Sequence, residues 1–126
     1  MHMKSIPAQH NTLMPYLMLA NAGQFSSFME KIFGGNQQHI GYRDDGTTIM
    51  HAEIRIGENS IMYCQANEDY PPKPGSFFIY VDNADEKYRM ALEAGAVSIM
   101  PPADQPYGRS CGVTDPFGNV WWITSL

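Results

Sequence analysis

Two stretches of this chain, 62 residues apart, share one pattern: Leu17-Met18-Leu19-Ala20-Asn21-Ala22 aligns with Ile79-Tyr80-Val81-Asp82-Asn83-Ala84. In each, a strand-like run ends at Asn-Ala and a helical pattern follows. The first helix presents Phe25, Phe28, Met29, Ile32 and Phe33 at i, i+3, i+4, i+7 and i+8, one apolar face. The second presents Ala84, Tyr88, Ala91 and Leu92 at i, i+4, i+7 and i+8. Asn21 and either Asp82 or Asn83 suit the helix starts, and Gly34 and Gly95 suit the ends. Three strand-like runs follow each helix, at 36–42, 49–56 and 59–65, then at 97–100, 110–114 and 119–124. The last runs align at an offset of 60, Gly57-Glu58-Asn59-Ser60-Ile61-Met62 with Phe117-Gly118-Asn119-Val120-Trp121-Trp122. Strand, cap, helix and closing hairpin recurring in one order constrain the fold more than any of them alone. The chain reads as α+β: two tandem βαβββ modules, about 11–68 and 76–126, with a proline-rich linker at about 69–75.

Composition narrows the partners. At 126 residues the chain is expected to form one domain, burying roughly 65–70% of its unfolded surface. A hydrophobic content of 44% supports a packed core and argues against disorder. The net charge of −5, with eight Lys and Arg residues and no basic run, argues against nucleic acid, whose binding rests on phosphate neutralisation. No apolar run approaches the ~18–20 residues of a membrane span, and the N-terminus lacks the apolar core of a secretion signal. A cytoplasmic location with no membrane partner is the expectation. Cys64 and Cys111 have no Cys-x-x-Cys spacing and read as buried thiols in a reducing compartment, with a single disulfide as the alternative.

Near the C-terminus, Asp115-Pro116-Phe117-Gly118 separates two strand-like runs. Asp at the first position and Pro at the second predict a type I turn, and the following Gly lets the chain reverse. This turn and the repeat resemble the vicinal oxygen chelate superfamily, which includes glyoxalase I, extradiol dioxygenases and bleomycin- and fosfomycin-resistance proteins. The pattern is similar to that of its PhnB-like, glyoxalase-like branch in Pro15-Tyr16-Leu17, Phe33-Gly34-Gly35, His51-Ala52-Glu53-Ile54 and Ile56-Gly57. It continues in Tyr80-Val81-Asp82, Ala94-Gly95-Ala96, Tyr107-Gly108-Arg109-Ser110 and the Asp-Pro-Phe-Gly turn leading to Trp121-Trp122. The resemblance implies a half-open curved sheet around one cleft with the helices outside. It also implies a homodimer, in some members with the cleft completed across chains. Because the fold hosts isomerases, lyases, dioxygenases, transferases and drug-sequestering proteins, the site must decide the function.

Metal-dependent members of that superfamily carry four His or Glu ligands on the first and last strands of the two modules. The repeat offsets map those positions onto Met14, Ser76, Met62 and Trp122. Thioethers are soft donors, a serine hydroxyl is a poor one and an indole does not coordinate, so no metal centre is expected there. No Gly-rich phosphate loop, His-Glu-x-x-His or Gly-x-Ser-x-Gly motif is present, and no cofactor is expected.

Strand parity points to other chemistry. In 49–56, Ala52, Ile54 and Ile56 share one face, so His51, Glu53 and Arg55 share the other. His51 and Glu53 then sit about 7 Å apart at the backbone, where a carboxylate can orient an imidazole as a general base. The plain alternative is an ordinary polar strand face. Arg109 is the candidate anchor for an anionic group, with a surface strand-end arginine as its alternative. Tyr107 and Trp122 are candidate aromatic walls, and Met14, Met62 and Ser76 candidate contacts, although aromatics and methionines also fill cores. His10 is expected in a mobile N-terminal segment, with His2, and His39 on a strand facing the cleft. Cys111 is expected to act as a nucleophile only with a base beside it.

Three readings follow. The first is a metal-independent acid–base enzyme acting on a small anionic metabolite, in which His51, oriented by Glu53, moves a proton and Arg109 anchors the anionic group. The second is a resistance-type protein that binds a small ligand without turnover. The third, a metal-dependent lyase or dioxygenase, requires a shifted ligand register that uses His51 or His39 with Glu53.

Overall fold

The computed structural model describes residues 5–126, so His2 lies outside the described residues. The repeat becomes two four-stranded mixed sheets, each with one helix. The first module runs β1 (Tyr16–Leu19), α1 (Phe25–Phe33), β2 (Asn36–Tyr42), β3 (Ile49–Ile56) and β4 (Asn59–Gln65). The second runs β5 (Ser76–Tyr80), α2 (Ala84–Glu93), β6 (Val97–Gln105), β7 (Gly108–Thr114) and β8 (Val120–Ser125). Strand orders β1-β4-β3-β2 and β5-β8-β7-β6 correspond element for element, and neither sheet closes into a barrel. The first strand of each module pairs in parallel with its last, Tyr16 opposite Met62 and Phe78 opposite Trp122. Those two pairs are related by the offsets seen in the sequence.

Local chemistry explains the elements. On α1, Phe25, Phe28, Met29 and Ile32 are all buried, as the helical spacing requires. A 3-10 turn, Ala22–Gln24, precedes α1, and Asn21 makes no side-chain cap there. Gly34 ends α1 in the left-handed region at φ 67°, a conformation that glycine adopts without strain. Asn83 caps α2 by accepting from the Glu86 amide at 3.1 Å. The strand β6 extends beyond the expected 97–100, through Pro101 and Pro102. It is an edge strand, where proline's missing N–H costs no ladder bond, and its register shifts between Met100 and Ala103. The proline-rich linker also pairs: Lys73 donates to the Met18 carbonyl at 2.7 Å, forming a bridge against β1.

The modules meet through aromatic side chains. Phe117, at the turn before β8, packs edge-on against Phe25 and Phe28 of α1, with centroids 5.5 and 5.8 Å apart. Trp121 stacks on Phe77 at 4.6 Å and touches Phe33 at 4.8 Å. The turn itself is held by the buried Asp115 carboxylate. It accepts from the amides of Phe117 and Asn119 at 2.8 Å, from Asn119 Nδ2 at 2.9 Å and from Trp121 Nε1 at 2.8 Å. Asn119 in turn accepts the Gly75 amide at 2.8 Å, tying the linker to β8. No helix among the described residues is long and apolar enough to cross a membrane.

Candidate functional site

With the apolar residues of β1, β3 and β4 turned toward α1, the opposite face of the first sheet carries the titratable groups. One row crosses it: His39, Glu53, Met62 and Tyr16 are successive partners on β2, β3, β4 and β1. His51 stands two residues before Glu53 on the same face. Its Nε2 lies 2.8 Å from Glu53 Oε2, its Nδ1 lies 3.1 Å from the Tyr16 hydroxyl, and the His39 ring centroid is 5.9 Å away. Strand parity thus brings His51 and Glu53 together and sets Met62 beside them.

The N-terminal segment completes this face. His10, expected to be mobile, instead places Nε2 2.7 Å from Glu53 Oε1. Arg55 donates to the Gln9 carbonyl at 2.7 Å, and the Ser60 hydroxyl donates to the same oxygen. The Asn11 side chain accepts the Ser60 amide at 3.0 Å and donates to the Glu58 carbonyl at 3.1 Å. Polar groups on β3 and β4 hold the segment down, a contact over 43 residues that no local pattern announces. Tyr16 was likewise missed as a site residue. Its parity with Met14 was readable, but its place beside Met62 depends on the parallel register of β1.

Burial pushes the Glu53 carboxyl up, but the hydrogen bonds to His51 and His10 and their charges outweigh it, and the net direction is down. A lowered carboxyl contributes stability that is present above its ordinary value of 4.5 and lost as pH falls through the lower folded value. Glu53→Gln should therefore flatten the acid side of the stability curve below that pH. Urea midpoints at acid and neutral pH measure this, and parallel curves for the two proteins would rule it out. Burial also raises the Tyr16 phenol, with the neighbouring Cys64 adding to the effect. The Cys64 thiol is raised by burial against the opposing charge of Arg43 and its hydrogen bond with Tyr16.

The second sheet's open face is aromatic. Trp122 lies across Gly112, its directly opposite partner on β7. Phe78 packs edge-on against Tyr80 at 5.2 Å and sits 6.3 Å from Tyr107. Ser76 is exposed at the start of β5, and Met14 is half-buried just ahead of β1. Arg109 does not join either face's chemistry. It shares parity with Cys111 and Val113, which are core residues, and forks onto Asp85 at the start of α2 with two bonds of 3.0 Å. A third bond of 3.3 Å reaches Asp104. Cys111 faces the helix too, donating weakly to the Ala84 and Ile123 carbonyls, and burial pushes its thiol up to about 11. Both cysteines are free and buried.

The donors do not fit a divalent metal. Met14, Met62, Ser76 and Trp122 supply soft, weak or no coordination. The imidazoles of His10 and His51 are each directed at a separate oxygen of Glu53. Among the described residues no three His, Cys, Asp or Glu side chains gather at metal-holding spacing. A cavity of about 1010 Å³ lies elsewhere, between the modules, over Phe33, Ile56, Ile61, Phe77 and Trp121. No candidate residue named from the sequence lines it. Its floor is the core that joins the modules, so the polar face carries the chemical argument instead.

The family model of the Glyoxalase/Bleomycin resistance protein/Dioxygenase superfamily matches residues 17–123. An uncharacterized protein of Mycobacterium bovis is 30% identical over 124 residues, 86% of this chain and 79% of that protein. The PhnB protein from Bacillus cereus superposes with a TM-score of 0.76 at 17% identity, over 92% of this chain and 100% of that one. TnmS3, an antibiotic binding protein from Streptomyces, superposes with a TM-score of 0.69 at 16% identity, over 98% of each chain. At such identities the superpositions speak for the fold alone. The family match spans both modules and the turn between β7 and β8, and the chain belongs to the Glyoxalase/Bleomycin resistance protein/Dioxygenase superfamily.

Proposed function

We propose that this protein is a metal-independent acid–base enzyme acting on a small polar metabolite at the open face of its first sheet. The observation that carries the reading is the Glu53 carboxylate held between two imidazoles, at 2.8 Å from His51 and 2.7 Å from His10. A carboxylate so placed fixes the tautomer and orientation of the His51 ring, which suits it to proton transfer. With Arg109 engaged by Asp85, a substrate's anionic group would need another anchor. Met14 and Met62 give the site a soft wall. Trp122 and Ser76 on the second sheet and Tyr107 in the turn between β6 and β7 belong to the second module, and in this reading a partner protomer presents them to the first sheet's face. The exposed Phe78, Tyr80 and Tyr107 support a homodimer of this kind, because such a surface is better covered than left in water.

The aromatic face favours a second reading, in which the protein holds a flat ligand without turning it over. The similarity to an antibiotic binding protein agrees with it. The test compares wild type with His51→Ala against a panel of small carbonyl metabolites, with binding followed by thermal shift and turnover by proton NMR. Sedimentation of the same samples checks the dimer. The expected result is turnover that falls roughly 100-fold or more in the variant, with binding retained. Binding without turnover in wild type would favour the second reading, and turnover unchanged by the substitution would defeat the first.

A further inference from the structure

We propose that Tyr16 is the residue through which protons enter and leave this site, with His51 as its relay and Glu53 as the orienting carboxylate. The inference rests on the acid–base reading above and names the group that meets the substrate. Both ring nitrogens of His51 are engaged, Nε2 with Glu53 and Nδ1 with the Tyr16 hydroxyl. An ionised carboxylate only accepts, so Nε2 carries the proton, Nδ1 accepts and the phenol donates. The imidazole therefore has no free nitrogen to offer a substrate. Tyr16 is the most exposed of the three, at 44%, against 28% and 14% for the His51 and Glu53 side chains, so it is the one that an incoming substrate meets first.

The proton balance closes within the three residues. A substrate proton passes to the Tyr16 oxygen as the phenol's own proton passes to His51 Nδ1. The substrate is left as its conjugate base, and the imidazolium is paired with the Glu53 carboxylate. The reverse step returns a proton to the product. This is carboxylate–imidazole–hydroxyl logic with a phenol in the outer position. Tyr80 and Tyr107 make an internal comparison, because they are more exposed, at 63% and 52%, and pack on Phe78 instead of a base.

A phenol with a base at its proton also attacks an aryl ester, which gives a test that needs no natural substrate. With p-nitrophenyl acetate the Tyr16 oxygen bonds to the acyl carbon and the acyl–oxygen bond breaks. p-Nitrophenolate then leaves, and the phenol proton goes to His51. Peptide mass spectrometry should find acetyl on Tyr16 forming roughly tenfold or more faster than on Tyr80 or Tyr107, despite its lower exposure. In His51→Gln that advantage should vanish while the rates at Tyr80 and Tyr107, which report that the variant is folded, stay the same. Tyr16 labelled no faster than the other two, or a rate indifferent to His51→Gln, would overturn the proposal. Fast Tyr16 labelling with no metabolite turned over would instead overturn the acid–base reading and leave the relay standing.

Discussion

Replacing Asp115 with alanine should lower the thermal midpoint by about 12–20 °C, the equivalent of about 3–5 kcal/mol in a chain of this size. Its carboxylate is the shared acceptor for two backbone amides, the Asn119 carboxamide and the Trp121 indole, all within 2.9 Å. Alanine leaves four buried donors without partners, and each unsatisfied group carries its own desolvation cost. The loss also spreads through packing. Trp121 sits between Phe77 and Phe33, and Phe117 of the same turn wedges against Phe25 and Phe28 of the other module. Asp115→Asn separates hydrogen bonding from shape. One oxygen can still serve the amides, but an NH2 group would face the indole and the Asn119 carboxamide, both donors. Asn119 cannot rotate its amide to help, because its oxygen already holds the Gly75 amide. Asparagine should therefore lose more than half of what alanine loses. Calorimetry of the two variants decides it, and a midpoint shift below about 3 °C for alanine would show that the turn is not the joint between modules.

Much of this architecture was legible because alternation and helical spacing are local signals. Strands 36–42, 49–56 and 59–65 fall where those signals place them, and Gly34 ends α1 as its position suggests. The miss at β6 has a local cause too: two prolines read as a stop, although an edge strand tolerates them. The site was only half legible. Parity put His51 and Glu53 on one face, a period-two inference within a single strand. The same rule applied to β7 sets Arg109 with Cys111 and Val113, on the helix side where Asp85 waits, but Arg109 was read instead as an anchor for an anionic group. His10 and Tyr16 were beyond reach, because their places depend on pairings across 43 and 46 residues. No window of sequence contains both partners of such a contact.

Gly112→Val should destabilise the protein by about 3 kcal/mol, although strand propensity alone predicts the opposite sign. Valine is a better strand residue than glycine by up to about 1 kcal/mol on host-protein scales. Here, however, a Cβ on residue 112 would lie 2.4 Å from Cζ3 and 2.6 Å from Cε3 of Trp122. The indole occupies the space over the glycine and is anchored on the neighbouring strand, so it must swing away or β7 must shift from β8. Either movement spoils the aromatic face that in the proposed dimer opposes His51 and Glu53. The indole N–H resonances separate the two tryptophans. The Trp122 signal should move while that of Trp121, fixed to Asp115, stays in place. A ligand that stacks on Trp122 should then bind roughly three- to tenfold more weakly, in line with the energy of one aromatic contact. A valine variant as stable as wild type in urea would mean that the indole already has room to move, and that the aromatic face is not held in one orientation by its glycine neighbour.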